Sequence, residues 1–340
     1  MSTVRPQPYR SERAIAQGCR VTAYARLFGA QIAIGAAAIF ARFALTGTGP
    51  LVASALRLAI ATVPLAALAA LRGTGTLGRR AECLLALAGF ALAVHFAAWL
   101  ASLQYTSVAI STLLVCTSPI WAGLYEALVA RRPRSRTFVA ALVLAVAGAA
   151  LVATRADVPA PSGGHALAGA ILAASGGAAI AAYLLLVESV RRSARSGAPP
   201  TRQIVLRTYG WAALGLALAS IPSGEPIPRF TDGIAWGGIL AMALVSQLIG
   251  HTALNAALRD FAPSTVAMST LLEPVAAALL AAAIFHEASG ALTIFGGLLI
   301  LAAIGLAARE EAFSPPSRLS PAAVVAGDAD ARSTPANTPK

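Results

Sequence analysis

The chain has 340 residues, of which 57% are hydrophobic and only 12% are charged, and its mean hydropathy is +0.72. A soluble domain carries about 25% charged and about 45–50% apolar residues, and a soluble particle of this size could not hide so much apolar surface. The composition therefore argues against a soluble enzyme and supplies enough apolar residues for about ten membrane helices of about 20 residues each.

The first 26 residues are polar and basic, and no small-residue cleavage site ends the apolar run that follows them. We interpret residues 1–26 as a basic cytoplasmic leader in front of a first membrane helix, and not as a removed signal peptide.

Ten apolar segments follow the leader, and all of them are continuous runs rich in Ala, Leu and Gly. They lack the alternating pattern of a membrane β-barrel. The predicted fold is therefore an all-α polytopic membrane protein with ten transmembrane helices. The segments are 27–46, 51–71, 83–103, 107–129, 137–154, 167–187, 204–221, 233–254, 264–285 and 289–308.

Arginine is concentrated in alternate connections between the segments. The connections after the even-numbered segments hold Arg72, Arg79, Arg80, Arg131, Arg132, Arg134, Arg136, Arg191, Arg192, Arg195, Arg202, Arg259 and Arg309. The other connections hold only Arg155 and Arg229, accompanied by acidic residues. Because cytoplasmic connections are enriched in Lys and Arg, we expect a multi-pass protein of the cytoplasmic (inner) membrane with both termini in the cytoplasm. The net charge of +12 is then a topology signal and not a nucleic-acid-binding surface.

A linker rich in Pro and Gly at residues 155–166 divides the chain into two halves, residues 27–154 and 167–308. Residues 309–340 are polar and rich in Pro, which predicts a disordered cytoplasmic tail.

The two halves share an internal repeat. Val108–Leu114 reads VAISTLL, and Val266–Leu272 reads VAMSTLL. A His precedes each copy, and a Pro and an acid follow it: His95, Pro119 and Glu126 in the first half, and His251, Pro274 and Glu287 in the second. Because each half holds five segments, an odd number, the second half must enter the membrane in the opposite sense. Inverted repeats of this kind are typical of secondary transporters with a site near the midplane.

Two longer stretches carry a resemblance to a known family. They are His95–Pro119, HFAAWLASLQYTSVAISTLLVCTSP, and Gly250–Glu287, GHTALNAALRDFAPSTVAMSTLLEPVAAALLAAAIFHE. Over residues 27–308 the chain resembles the drug/metabolite transporter superfamily, EamA type. The resemblance implies two inverted five-helix EamA repeats and transport, often export, of a small molecule. It does not identify the substrate, because the family covers amino acids, drugs and other metabolites.

Glu273 lies inside an apolar run, where an acid usually faces a cavity or a partner. Pro274 removes a backbone donor and can open the helix locally, and Pro119 is its counterpart in the first half. Glu273 is predicted to carry a proton or to anchor a cationic substrate group. The alternative is a structural ion pair with Arg57.

Arg57 lies about one third into the second segment. A cavity-facing guanidinium there would clamp a carboxylate or phosphate; alternatively the side chain pairs with Glu273 or extends to the membrane interface.

Two pairs one helical turn apart complete the predicted site: His251 with Asn255, and His95 with Trp99. The histidines suit proton coupling, with interhelical hydrogen bonding as the alternative. Trp99 would stack on a substrate, with helix packing as the alternative.

The remaining polar groups receive structural assignments. Mild polar groups are expected to bond the backbone or neighbouring helices; they are Gln31, Ser102, Ser111, Thr112, Ser246, Gln247, Ser269 and Thr270. Charges near helix ends are expected at the interface; they are Glu126, Glu188, His286 and Glu287. The glycine pairs at 176–177 and 296–297 permit close helix contacts, which allow a homodimer without requiring one.

Together these features predict a secondary transporter, an exporter, of a small metabolite or drug that works by alternating access and is coupled to protons or driven by exchange. No metal-ligand spacing or cofactor motif was found. A membrane-embedded enzyme acting on a lipid-linked substrate, with His95, His251 and Glu273 as acid–base groups, is the alternative. Short connections poor in acids argue against that enzyme.

Overall fold

The structure is a computed structural model that describes residues 10–106, 108–131, 134–153, 166–193, 198–285 and 291–313. The described residues are folded into helices joined by short connections, and they contain no strand. The predicted linker, the predicted tail beyond Phe313 and the first nine residues lie outside them, as do His286 and Glu287.

The described residues form α-helices, one π-helix and one 3₁₀ turn. In chain order they are α1 Arg10–Gly35, α2 Ala37–Ala44, α3 Pro50–Arg72, α4 Arg79–Ser102, α5 Val108–Val115, α6 Ser118–Leu128, α7 Arg136–Ala153, α8 Ala166–Ser193, α9 Thr201–Ser220, α10 Gly233–Ala241, a π-helix Met242–His251, α11 Thr252–Ala257, α12 Pro263–Ser269, a 3₁₀ turn Thr270–Leu272, α13 Glu273–Phe285 and α14 Ala291–Phe313.

Five of the described helical stretches are long and apolar enough to cross a membrane. They are Thr22–Ala44, Pro50–Arg72, Arg79–Ser102, Leu167–Ser193 and Gly233–Ala257. Two more, Arg136–Leu151 and Ile294–Ala307, are apolar but shorter. The all-helical membrane architecture is therefore confirmed, and the count of ten spans stays a prediction. Helix α1 begins at Arg10, inside the predicted leader, and the role of residues 1–26 as a cytoplasmic leader stays a prediction.

The fourth and ninth predicted segments are interrupted and are not single helices. The fourth consists of α5 and α6, and α6 has Pro119 in its first turn. The ninth consists of α12, the 3₁₀ turn and α13, and Pro274 is the second residue of α13. A proline lacks the backbone N–H that would continue the preceding helix, so it is best tolerated in a first turn.

The two interruptions lie against each other. The Cys116 thiol donates a hydrogen bond to the Thr270 carbonyl oxygen at 3.3 Å, and the Ser118 and Thr270 hydroxyls are 3.4 Å apart. The residues just after the first repeated sequence thus meet the second repeated sequence in the interior.

Two pairs of equivalent helices from the two halves pack on each other: α3 on α9, and α7 on α14. Two further contacts between the halves join helices that are not equivalent: α4 packs on α8, and α1 packs on the π-helix. Two hydrogen bonds show that α3 and α9 are antiparallel. The Val52 amide, at the start of α3, donates to the Glu225 carboxylate beyond the end of α9 (2.9 Å), and the Gln203 amide, at the start of α9, donates to the Gly75 carbonyl beyond the end of α3 (2.5 Å).

Glycines permit the closest of these helix contacts. A Cβ at Gly177 would lie 2.8 Å from the Val115 carbonyl oxygen, and a Cβ at Gly148 would lie 2.6 Å from that of Gly296. A Cβ at Gly238 would lie 2.4 Å from the Ala44 nitrogen. Close packing at the predicted glycine pairs is therefore confirmed, and it occurs within the chain.

Glu126, which was predicted to be an interfacial charge, is buried among the helices, with 5% of its surface exposed. Its carboxylate accepts a hydrogen bond from Nε of Arg134 at 2.7 Å and one from the backbone N–H of Ser264, in the first turn of α12, at 3.3 Å. Arg134 also donates to the Ser264 hydroxyl. We call these three residues the Glu126 cluster; it ties the connection after α6 to the second half.

Candidate functional site

A cavity of about 30 Å³ lies between the two halves. Five of the eight predicted site residues line it, namely Arg57, His95, Trp99, His251 and Glu273. Ser118 and Thr270, from the two helix interruptions, line it as well. The cavity therefore lies where the repeats meet.

Arg57 is fully buried (0% exposed) and projects from α3 into this cavity. Its Nε donates a 3.0 Å hydrogen bond to Oε1 of Gln247, and its guanidinium carbon lies 4.0 Å from the centre of the Phe96 ring. A cation over an aromatic face is stabilised by the ring quadrupole. Its two terminal nitrogens, Nη1 and Nη2, have no hydrogen-bond partner among the described residues. Arg57 thus does not extend to the membrane interface, and it presents a free pair of donors.

Glu273 is half-buried and is the first residue of α13, directly after the 3₁₀ turn. Its carbonyl oxygen would lie 3.0 Å from a Cβ at Gly35, so α1 packs closely on the start of α13. Among the described residues, no ion pair joins Glu273 to Arg57. The two side chains line the same cavity, and the alternative of a structural ion pair between them stays a prediction.

The two histidines lie on adjacent walls of the cavity. Nδ1 of His95 is 2.9 Å from the Gly176 carbonyl oxygen, so this nitrogen carries the proton and donates. The His95 ring stacks on Trp99 with centroids 6.5 Å apart and planes at 7°. The His251 ring lies 6.4 Å from that of His95 and edge-on to Phe96 at 5.3 Å. His95 therefore makes the interhelical bond expected of a structural residue, whereas Nδ1 of His251 has no partner.

His251 is the last residue of the π-helix, which also carries Gln247. Short π-helical segments are rare in proteins, and those that occur often lie at functional sites. The wider turn redirects the side chains. The Gln247 amide nitrogen has no partner, although its oxygen holds Arg57.

Asn255 is buried but does not line the cavity. Its side-chain oxygen accepts a 2.8 Å hydrogen bond from the Tyr183 hydroxyl, and its amide nitrogen donates to the His251 carbonyl oxygen at 2.8 Å. Nη2 of Arg191 donates to its backbone carbonyl oxygen at 3.1 Å. Asn255 therefore holds the end of the π-helix against α8. Pro119 and Pro274 are also absent from the lining and act through the helix interruptions.

Phe96 and Gln247 are site residues that the sequence did not indicate. An aromatic residue in an apolar helix carries no signal of its own, and Gln247 was expected to bond a neighbouring helix, which it does. In the described part of the chain, no group of three or more His, Cys, Asp or Glu side chains could hold a metal ion.

The chain matches one protein family and shares its fold with a solved structure. The EamA-like transporter family matches residues 22–154 and again residues 167–309. A solved crystal structure, described only as that of a protein, superposes with a TM-score of 0.69 at 17% identity, covering 85% of this chain and 98% of that one. At this identity the likeness shows the fold alone. No curated protein matches the sequence.

Proposed function

The chain belongs to the EamA-like transporter family and is a membrane transporter of small molecules, and on that premise we propose that it is a secondary transporter, an exporter, that works by alternating access. The observation that carries the proposal is the cavity between the two halves, which holds a buried cation, Arg57, and an acid, Glu273. Ionisable groups inside a membrane protein usually mark a substrate or proton pathway. The family does not favour the alternative of a lipid-acting enzyme.

The antiparallel arrangement of α3 and α9 supports an inverted repeat, since these are equivalent helices of the two halves. In transporters built this way, one repeat rocks against the other around a fixed site at the midplane. Each interrupted helix supplies a polar turn beside the cavity, at Ser118 and Thr270. Such interruptions are tolerated in a membrane where they line a cavity.

Contacts between the halves close both ends of the bundle. At one end, Thr48 donates to the Pro226 carbonyl oxygen (2.6 Å), and Glu225 accepts from Val52. At the other end, the Glu126 cluster joins the halves. This second end carries most of the arginines, so we place it in the cytoplasm, together with both termini. Alternating access then consists of breaking one set of contacts while keeping the other.

Transport in this proposal is coupled to protons or driven by exchange. The sequence has no phosphate-binding loop, and Glu273 is an acid that faces the cavity and forms no ion pair with the residues that the structure describes. Loading and unloading a proton there would change the charge of the site in each cycle. The glycine contacts named above are used within the chain, so they do not support the predicted homodimer.

The test is a screen of metabolite-loaded proteoliposomes with a pH-sensitive dye inside. A compound that the wild-type protein moves down an imposed pH gradient identifies a substrate and its coupling together. We expect Glu273→Gln to remove this gradient-driven flux while the protein still inserts and folds. The matched control is Glu188→Gln, an acid of α8 that pairs with Arg192 away from the cavity. Equal flux in the Glu273→Gln variant would contradict the proposal.

A further inference from the structure

We propose that the cavity binds a small organic carboxylate with a flat apolar body, and that each carboxylate binds together with one proton, which Glu273 takes up. This inference rests on the proposed function and names the substrate class and the sense of coupling for the same site.

Arg57 presents the geometry that a carboxylate needs. Its Nε is already held by Gln247, and its plane is fixed over Phe96, so only Nη1 and Nη2 remain free. Two parallel N–H groups match the two oxygens of a carboxylate. A buried guanidinium with two unused nitrogens is costly to leave unpaired, so the site is built for an anionic ligand group.

The other free polar atoms nearby are also suited to an acceptor. The indole N–H of Trp99 and the amide nitrogen of Gln247 have no partner, and both groups only donate. A cationic amine would meet these donors and the Arg57 cation together, and the acceptors open to it would be the Glu273 carboxylate and Nδ1 of His251. A phosphate monoester would bring close to two negative charges at neutral pH against one buried guanidinium. A monocarboxylate fits both the donors and the charge.

The remaining lining is apolar and contains flat rings. Phe96 and Trp99 form one wall, and Val115, Ile180 and Leu254 lie around it. Burial of apolar ligand surface supplies binding energy in proportion to its area. The carboxylate therefore belongs to a body that is apolar and flat enough to lie along the aromatic wall.

Charge balance adds the proton. The titratable groups at the cavity are Arg57 on α3, His95 on α4, His251 in the π-helix and Glu273 on α13, with the Cys116 thiol buried beside Thr270. With Arg57 charged and Glu273 ionised, a bound carboxylate would leave one uncompensated negative charge in a buried site, which is strongly unfavourable. A proton on Glu273 removes that charge, whereas a proton on either histidine would place a second cation near Arg57. Carboxylate and proton consequently move in the same direction, and the step carries no net charge. Export in this scheme runs down the outward gradient of the carboxylate, and one proton leaves with each carboxylate.

Binding in detergent tests the inference without requiring translocation. The probes share a body and differ in one group: phenylacetate, phenylacetamide and phenethylamine, with propionate and propionamide as a smaller pair. We expect the wild-type protein to bind a carboxylate at least about tenfold more tightly than its amide, as a charge-assisted bidentate pair allows. Arg57→Gln should remove this preference. Arg57→Lys keeps the charge but lacks the two parallel N–H donors, so it should retain part of the preference. Arg72→Gln, at the exposed end of the same helix, should retain all of it.

The proton is tested by the pH dependence of the same binding. In the wild-type protein, carboxylate affinity should fall as pH rises from about 6 to about 9, approaching a tenfold loss per pH unit, as linkage to one proton requires. In Glu273→Gln the affinity should be flat at the alkaline end. Titration calorimetry in buffers of different ionisation enthalpy counts the protons taken up.

Three results would overturn the inference. They are equal binding of amide and carboxylate, a carboxylate preference that survives in folded Arg57→Gln, and an unchanged pH slope in Glu273→Gln. Absence of carboxylate binding at about 10 mM, where even a millimolar site would be occupied, would also overturn it. If proton-linked binding is seen but vesicles show no flux, the transport proposal fails while the binding site stands. If vesicles move amines instead, the transport proposal stands while the carboxylate assignment fails.

Discussion

Arg57 of the first half is held by Gln247 of the second half through a 3.0 Å hydrogen bond from Nε to Oε1. The bond orients the one cation of the cavity, and its acceptor lies in a π-helical turn. Because the bond joins the halves, any rocking of one repeat against the other changes the position of the guanidinium. This relationship makes Gln247 a positioning residue for the ligand.

We expect Gln247→Leu to weaken carboxylate binding by about tenfold and to lower the free energy of unfolding by about 1–3 kcal/mol, because a hydrogen bond to a buried charged group is lost. Ligand titration and thermal unfolding in detergent measure the two effects. Gln104→Leu, at an exposed position after α4, is the control. Wild-type affinity in Gln247→Leu would show that Phe96 alone orients Arg57.

Two neighbouring glycines provide a matched test of the packing between α10 and α2. A Cβ at Gly238 would lie 2.4 Å from the Ala44 nitrogen and 2.5 Å from the Phe40 carbonyl oxygen, whereas a Cβ at Gly237 meets nothing within 4 Å. Gly238→Ala should therefore destabilise the protein by about 1–3 kcal/mol through overpacking, and Gly237→Ala should be neutral or slightly stabilising. Thermal unfolding measures the stability of the two variants. Equal stability would contradict the close contact between α10 and α2.

The Glu126 cluster is expected to keep the arginine-rich end closed. Glu126→Ala leaves Arg134 without its carboxylate and the Ser264 N–H without its acceptor. A loss of about 1.4 kcal/mol would raise the open population about tenfold. In a Cys19→Ser, Cys83→Ser background, this should speed labelling of the buried Cys116 by a membrane-impermeant thiol reagent added from the cytoplasmic side.

The control for that experiment is Glu188→Ala, which breaks an ion pair within α8 and should leave the labelling rate unchanged. If Glu126→Ala also leaves the rate unchanged, the cluster does not control access from this end.

Much of the fold and part of the site follow from the sequence. The helices follow from long apolar runs, and Arg57, Glu273 and the two histidines are recognisable because each is ionisable inside such a run. The role of Asn255 does not follow, since its partner Tyr183 lies 72 positions away. The burial of Glu126 does not follow from the sequence either, because Ser264, whose N–H donates to it, lies 138 positions away in the chain.

The geometry of the site depends on features that have no simple sequence pattern. Phe96 is one of many aromatic residues in apolar helices, and only the packing of α4 places its ring under the Arg57 guanidinium. The interruption at 270–272 precedes a proline, which is a signal, but the π-helical turn at 242–251 contains no proline or other marker.

The measurement that tests the central claim most directly compares net flux with exchange in proteoliposomes for wild type and Glu273→Gln. If Glu273 carries the coupled proton, the variant should still exchange labelled for unlabelled substrate across the membrane, while its net flux no longer responds to a pH gradient. The wild-type protein and Glu188→Gln should show both activities. A Glu273→Gln variant whose net flux responds to the pH gradient as the wild type does would contradict the account.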